Sequence, residues 1–257
     1  MTTFNRLKME DIFSIENKVI IITGGGKGIG YNLAKNMAER GAYVYAVDIE
    51  FPKIDENVDK FLFQEKCNIT NYKKFEKICD KIFKKHKKID VLINCAGVSF
   101  SEQKQNTFYP IEKWMTTINV NLTAAFNCSQ AVIKYMIKNS TGSIINITSI
   151  VAEQGFPRNP AYAASKGGLK MLGKALAKDW GKFGIRINNL GPGFIKTDIM
   201  KKRYNDKKTR KYREDLTLLG RWGEKDDLVG PCIFLASDAS SYMTGSNLVV
   251  DGGWTAW

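Results

Sequence analysis

One histidine, His86, is all that the 257 residues contain. It lies in "FKKHKK", among lysines, where a solvated helix surface is expected. A mechanism needing a catalytic or metal-ligating imidazole has almost nowhere to go, and no metal site is expected. The five cysteines, Cys67, Cys79, Cys95, Cys128 and Cys232, are odd in number and scattered, without a C-x-x-C pair. That argues against a zinc site or a disulfide framework and fits a reducing cytoplasm. Apolar runs stay well short of the ~20 residues that span a bilayer, and "MTTFNRLKMED" shows no signal-peptide pattern, so no membrane partner is expected. Linkers and internal repeats are also missing, which predicts one domain over 17–257 behind an N-terminal extension at 1–16.

Positive charge is abundant, at net +13. In "NYKKFEKICDKIFKKHKK" the apolar Phe75, Ile78, Ile82 and Phe83 recur at helical spacing, so the lysines read as a solvated face rather than a nucleic-acid patch. A second basic stretch, "KKRYNDKKTRKYRED", has eight cations from Lys201 to Arg213 and little apolar periodicity. No nucleic-acid partner is expected, because a polyanion-binding role would leave the motifs below unexplained.

Short apolar runs alternate with amphipathic stretches: "KVIIIT", then "GIGYNLAKNMAERG", then "AYVYAVD", and so on to "NLVVDGG". A long helical stretch is expected from Pro110 to about Asn139. Repeated strand–helix units of this kind predict an α/β, Rossmann-type, doubly wound parallel sheet with helices on both faces. Gly41 and Gly184 follow helical stretches, as C-terminal caps do.

"TGGGKGIG" joins the first strand to the first helix. A Walker A loop fails because Lys27 is followed by Gly28, which offers no magnesium-ligating hydroxyl. Strict G-x-G-x-x-G fails too: from Gly24, Gly26 or Gly28 the last position falls on Ile29, Tyr31 or Leu33. T-G-x-x-x-G-x-G fits, through Thr23, Gly24, Gly28 and Gly30. Such glycines let the backbone approach a pyrophosphate at a helix N-terminus. Asp48 ends the next strand, where a carboxylate can accept hydrogen bonds from an adenosine ribose. It repels a 2′-phosphate and favours NAD; Lys27 could pair with that phosphate, which leaves NADP open.

Y-x-x-x-K occurs four times, at Tyr31/Lys35, Tyr109/Lys113, Tyr162/Lys166 and Tyr204/Lys208. Thirteen residues upstream stand Lys18, Ala96, Ser149 and Gly191 respectively. Only Tyr162 has a hydroxyl there, at the end of "GSIINITS", and Tyr162 and Lys166 share one helix face.

With "TGGGKGIG", "NCAG" (Asn94 to Gly97), Asn121 in "NVNLTAAF", Ser149, "YAASK" and "PGFIKT" in this order, the chain resembles the short-chain dehydrogenase/reductase family from Lys18 to Trp257. The resemblance implies an NAD(P)-dependent oxidoreductase with Asn121, Ser149, Tyr162 and Lys166 as catalytic residues. Tyr162 would act as acid or base, its pKa of about 10 lowered by the Lys166 ammonium and the nicotinamide charge. Ser149 would hold the substrate oxygen, and Asn121 a water on the proton path. Cofactor contacts are implied at Gly24, Gly26, Lys27, Gly28, Ile29, Gly30, Asp48, Asn68, Ile69, Asn94, Ala96, Gly97, Tyr162, Lys166, Pro192, Gly193, Ile195 and Thr197. Asn68 departs from the aspartate usual near the adenine. A homotetramer and a flap at about 195–215 are implied as well.

The C-terminal third and "GGLKML" look like members acting on sugar acids, such as gluconate 5-dehydrogenases and 2-dehydro-3-deoxy-D-gluconate 5-dehydrogenases. Gln154 and Arg158 in "EQGFPRNPAY" are the substrate candidates, since a guanidinium can clamp a carboxylate. The basic stretch would act as a cationic flap or simply as a solvated helix. A 3-oxoacyl-(acyl-carrier-protein) reductase is the alternative enzyme, and a catalytically inactive dinucleotide-binding module the alternative outside enzymes.

Overall fold

The computed structural model describes residues 11–51, 60–101 and 108–256; residues 1–10 of the expected extension and Trp257 lie outside them. Seven strands form one parallel sheet: β1 (Val19–Thr23), β2 (Tyr43–Asp48), β3 (Leu62–Lys66), β4 (Val91–Asn94), β5 (Gly142–Ile147), β6 (Ile185–Pro192) and β7 (Asn247–Val250). Their order is β3-β2-β1-β4-β5-β6-β7. The runs of Ile and Val make strands here because both faces are covered. On one face Ile21, Leu92, Ile144 and Ile187 meet α2 (Tyr72–His86), α4 (Ala124–Asn139) and α5 (Pro160–Trp180). On the other, Ile20, Ile22, Ile93 and Ile145 meet α1 (Gly28–Ala38) and α8 (Val229–Ala236). The doubly wound α/β fold expected from the alternation is what forms. Ile15 is 2% exposed in that second core, so the packed chain begins ahead of Lys18.

The lysine-rich helix α2 buries Phe75, Ile78, Cys79 and Ile82 and exposes Lys73, Lys74, Lys77, Lys81, Lys84 and Lys85. His86 departs from expectation. It is half-buried, hydrogen-bonded to the Tyr45 hydroxyl at 2.8 Å and packed 4.8 Å from the Tyr43 ring. Two aromatic residues of β2 reach the last turn of α2, and the resulting burial lowers the imidazole pKa. Gly41 and Gly184 end their helical segments with φ of 79° and 78°, as caps should.

The long helix expected from Pro110 to Asn139 is broken in register. α3 (Ile111–Ile118) and α4 are joined by a five-residue π segment, Asn119–Thr123. Periodicity alone cannot show one extra residue in a turn, and such insertions often mark functional positions. The sheet places a crevice nearby: β1 pairs with β2 on one side and β4 on the other, so the loops leaving β1 and β4 diverge at their carboxyl ends.

Candidate active site

The loop after β1 is built around its glycines. Gly24 has φ 70°, and a Cβ there would come within 2.7 Å of the Ala96 Cα. At Gly26 it would meet the Glu50 carbonyl at 2.2 Å, and at Gly30 the Gly24 carbonyl at 2.1 Å. These contacts press the loop against β2, the Asn94–Gly97 turn and the start of α1. Gly28, at φ 60°, faces open space and begins α1, whose N-cap Lys27 makes no side-chain capping bond. Thr23 Oγ1 accepts from the amides of Cys95 (3.1 Å) and Ala96 (3.3 Å), tying β1 to the second loop of the crevice. The cradle fits a dinucleotide pyrophosphate, with first-turn N–H groups left for an anion and an open wall at Gly28.

Asp48 is held at the cradle edge. Its Oδ2 accepts from the Gly26 amide at 2.9 Å and its Oδ1 from the Ile49 amide at 2.7 Å. Asn68 Oδ1 accepts from the Thr70 amide and hydroxyl, at 3.0 and 2.9 Å. Ile69 is 7% exposed in the core, so any contact from it is apolar or through its backbone. The Asn94 side chain turns away from the crevice: it donates to Ser129 Oγ (3.1 Å) and Asn146 Oδ1 (3.0 Å). Asn146 in turn donates to Asn189, so an amide ladder crosses β4, β5 and β6.

Just beyond the carboxyl end of β5, Ser149 Oγ accepts from the Val151 amide at 3.2 Å, and its hydroxyl lies near enough to the Tyr162 phenol of the next helix to lower that phenol's pKa. Tyr162 and Lys166 lie one turn apart on α5, with the Lys166 Nζ 5.7 Å from the tyrosine ring centre. That ammonium donates to the Ile147 carbonyl at 2.7 Å. Gly97 adjoins both Asn121 and Lys166; a Cβ there would lie 3.4 Å from Asn121 Oδ1 and 3.7 Å from Lys166 Nζ. Asn121, fully buried in the π segment, accepts from the Val98 amide (2.8 Å) and donates to the Val98 carbonyl (2.9 Å) and Ser165 Oγ (3.1 Å). Pro192 ends β6 and Gly193 leads on to Ile195, which bridges to Gly223; Thr197 then starts a short turn.

A family model described as enoyl-(acyl carrier protein) reductase matches residues 24–255. The 5-keto-D-gluconate 5-reductase of Escherichia coli K12 is 35% identical over 254 residues, covering 95% of this chain and 98% of its own. The chain belongs to the short-chain dehydrogenase/reductase family. It is an NAD(P)-dependent oxidoreductase. A 3-oxoacyl-(acyl-carrier-protein) reductase of Thermotoga maritima is 36% identical over 253 residues, covering 93% of this chain and 98% of its own. Among solved structures, a gluconate 5-dehydrogenase of Burkholderia cenocepacia J2315 in complex with NADP and tartrate superposes with a TM-score of 0.87 at 33% identity, covering 96% and 98% of the two chains.

For a member of this family the electrostatics hold one surprise. Burial pushes the Tyr162 phenol above its ordinary value, and only the Ser149 hydrogen bond pulls it down. Burial also lowers Lys166 to about 8. In the protein alone, burial outweighs whatever lowers the Tyr162 phenol.

The substrate candidates separate. Gln154 Oε1 accepts from Trp254 Nε1 at 3.1 Å. Arg158 is exposed, with φ 68°. Sequence reasoning missed an aromatic wall beside them: the Phe194 ring lies 4.6 Å from Trp254, 5.6 Å from Trp222 and 6.0 Å from Phe156. The signal was available, since "PGFIKT", "GRWG" and "GGWTAW" each carry one of these rings. Above the wall, the basic stretch forms α6 (Lys201–Asn205) and α7 (Lys207–Leu216).

Proposed function

We propose that this enzyme interconverts a ketone and a secondary alcohol on a sugar acid of gluconate or ketogluconate type, or a related polyol, with NAD(H) preferred over NADP(H). The observation that carries the reading is the meeting of Ser149, Tyr162 and Lys166 beside a glycine cradle edged by Asp48. When bound, the nicotinamide supplies or accepts the hydride and, oxidised, brings a positive charge to the site. Ser149 donates a hydrogen bond to the substrate oxygen. Tyr162 gives that oxygen a proton in reduction and takes it back in oxidation. Lys166 holds the nicotinamide ribose, and its charge, with that of the oxidised ring, opposes the burial that keeps Tyr162 protonated. Asn121, with its side chain committed to Val98 and Ser165, positions a water between Lys166 and solvent. Ile195 and Thr197, with Pro192 and Gly193 behind them, fix the carboxamide.

The NAD preference rests on Asp48, whose carboxylate is pinned at the position a 2′-phosphate would approach. The preference for an anionic substrate rests on the basic flap over residues 195–215 and on the relatives: one reduces 5-keto-D-gluconate and another was solved with tartrate, a hydroxy acid. Gln154, bonded to Trp254, and Arg158 are the substrate contacts this reading assigns. Exposed Ile111, Met115, Phe126 and Met171 offer apolar surface for a homotetramer in the cytoplasm.

Initial rates with gluconate, 5-ketogluconate, a deoxy-keto-gluconate, simple polyols and an acetoacetyl thioester, each with NAD(H) and NADP(H), test the reading. Turnover of the keto-gluconates with NADH is expected. Turnover of the thioester alone, with NADPH, would overturn both the substrate and the cofactor assignments.

A further inference from the structure

The flap's cations are not equivalent. Lys196 pairs with Glu224, Arg210 with Glu214, Lys211 with Asp215, and Arg221 with Asp227. Arg203 Nη2 reaches across to Ser101 Oγ at 2.7 Å, beyond the Asn94–Gly97 turn. Arg213 has no acidic partner among the described residues. It is half-buried, its guanidinium carbon 4.1 Å from the Phe194 ring centre and 5.0 Å from that of Trp222. Its Nη1 is buried and meets no acceptor among the described residues. The same holds for Nε1 of Trp222, a residue only 2% exposed. Two neighbouring side chains thus carry buried N–H donors with no acceptor among the described residues.

Buried donors are normally matched, and a buried cation normally has a counter-charge. A guanidinium lying over aromatic faces keeps its N–H fork in its own plane, suited to two parallel bonds to a carboxylate. The rings that hold it are those of the cleft: Phe194 leads directly into Ile195, and its neighbour Trp254 is bonded to Gln154, five residues beyond Ser149. Burial, with Arg203 adding like charge, lowers the guanidinium pKa to about 10, so it stays cationic at neutral pH.

We infer that Arg213, with Trp222 Nε1, binds the carboxylate of the substrate, and so selects polyhydroxy acids over neutral polyols. This rests on the sugar-acid reading above but names a different residue from Arg158, which is exposed on the loop between Ser149 and Tyr162.

Intrinsic tryptophan fluorescence of the full chain, titrated with sodium D-gluconate and with neutral D-glucitol, reads the site directly because the anion would settle against Trp222. A saturable change with gluconate and none with glucitol is expected, and Arg213→Met should raise the gluconate dissociation constant at least 30-fold. Trp222→Phe, which keeps a ring and deletes the N–H, should raise it about 5-fold. In steady state, Arg213→Met should lower kcat/KM for 5-ketogluconate at least 10-fold more than for D-fructose, mainly through KM. NADH binding measured alongside shows that each variant is folded. Absence of saturable gluconate binding by the parent protein, or an equal loss for acid and ketose, overturns the inference. Gluconate binding that depends on Arg213 without any turnover of keto-gluconates would instead sink the proposed reaction and leave the carboxylate site standing.

Discussion

On one bank of the proposed cleft Ser149, Tyr162, Lys166 and Asn121 are tied down by the chain itself; on the other, Arg213 and Trp222 hold buried N–H groups without acceptors among the described residues. The first bank sits just beyond β5, on α5 and on the π segment, where regular backbone hydrogen bonding holds each side chain's base. The second is built from rings and a long side chain on short helices. Proton transfer demands fixed geometry before the substrate arrives. Recognition can leave its strongest donors unmatched, because the ligand completes them.

Replacing Tyr162 by phenylalanine is the strongest way to break this contrast. Turnover should fall by about 1,000-fold or more, while NADH affinity and melting temperature stay close to the parent's. A variant that lost dinucleotide binding as well would show that the first bank is not independent of the cradle. Asp48→Ser should shift the kcat/KM ratio toward NADP(H) by about 10-fold or more, since it removes a like charge from the 2′-phosphate. Gly26→Ala places a Cβ against the Glu50 carbonyl, and forcing the loop away should cost about 1–3 kcal/mol, visible in thermal unfolding and in weaker NADH binding.

The smallest effect is in pH. Tyr162 sits above its ordinary value, so it keeps its proton through neutrality. Ketone reduction should hold a plateau to about pH 7 and fall to about half near pH 8, where Lys166 has lost half its charge. Alcohol oxidation needs the phenolate and should climb with pH over the same range. Because the Ser149 hydrogen bond lowers the phenol, residual oxidation by Ser149→Ala should rise at higher pH than in the parent, by about one unit or less. A limb displaced to lower pH would contradict the cause assigned here.

The parts legible in the sequence were those with short-range causes. Alternating apolar runs fixed the sheet, since each strand is covered on both faces, and glycines at Gly24, Gly26 and Gly30 announced close backbone contacts. The serine thirteen residues before Tyr162 singled out one pair among four, and in the fold that serine acts on the Tyr162 phenol. What escaped depends on contacts between distant residues. His86 is drawn from solvent by Tyr43 and Tyr45, some forty positions away. The Asn94 side chain reads as a cleft group until Ser129 and Asn146 are seen to claim its amide. Arg213 looked like one cation among eight, although it lacks the acid four residues on that Arg210 and Lys211 have; its burial against Phe194 and Trp222 needs the fold.

The five residues Asn119–Thr123 carry a consequence for how the chain tolerates change. An α-helix advances ~100° per residue, so the additional residue there acts as a phase offset between α3 and α4. Excising Leu122 alone would let the two helices fuse smoothly. It would also swing either the α4 core residues Val132 and Met136 or the Asn121 amide off its present bearing. Length variation at this point is therefore forbidden in single steps, even though a continuous helix would be the more comfortable backbone.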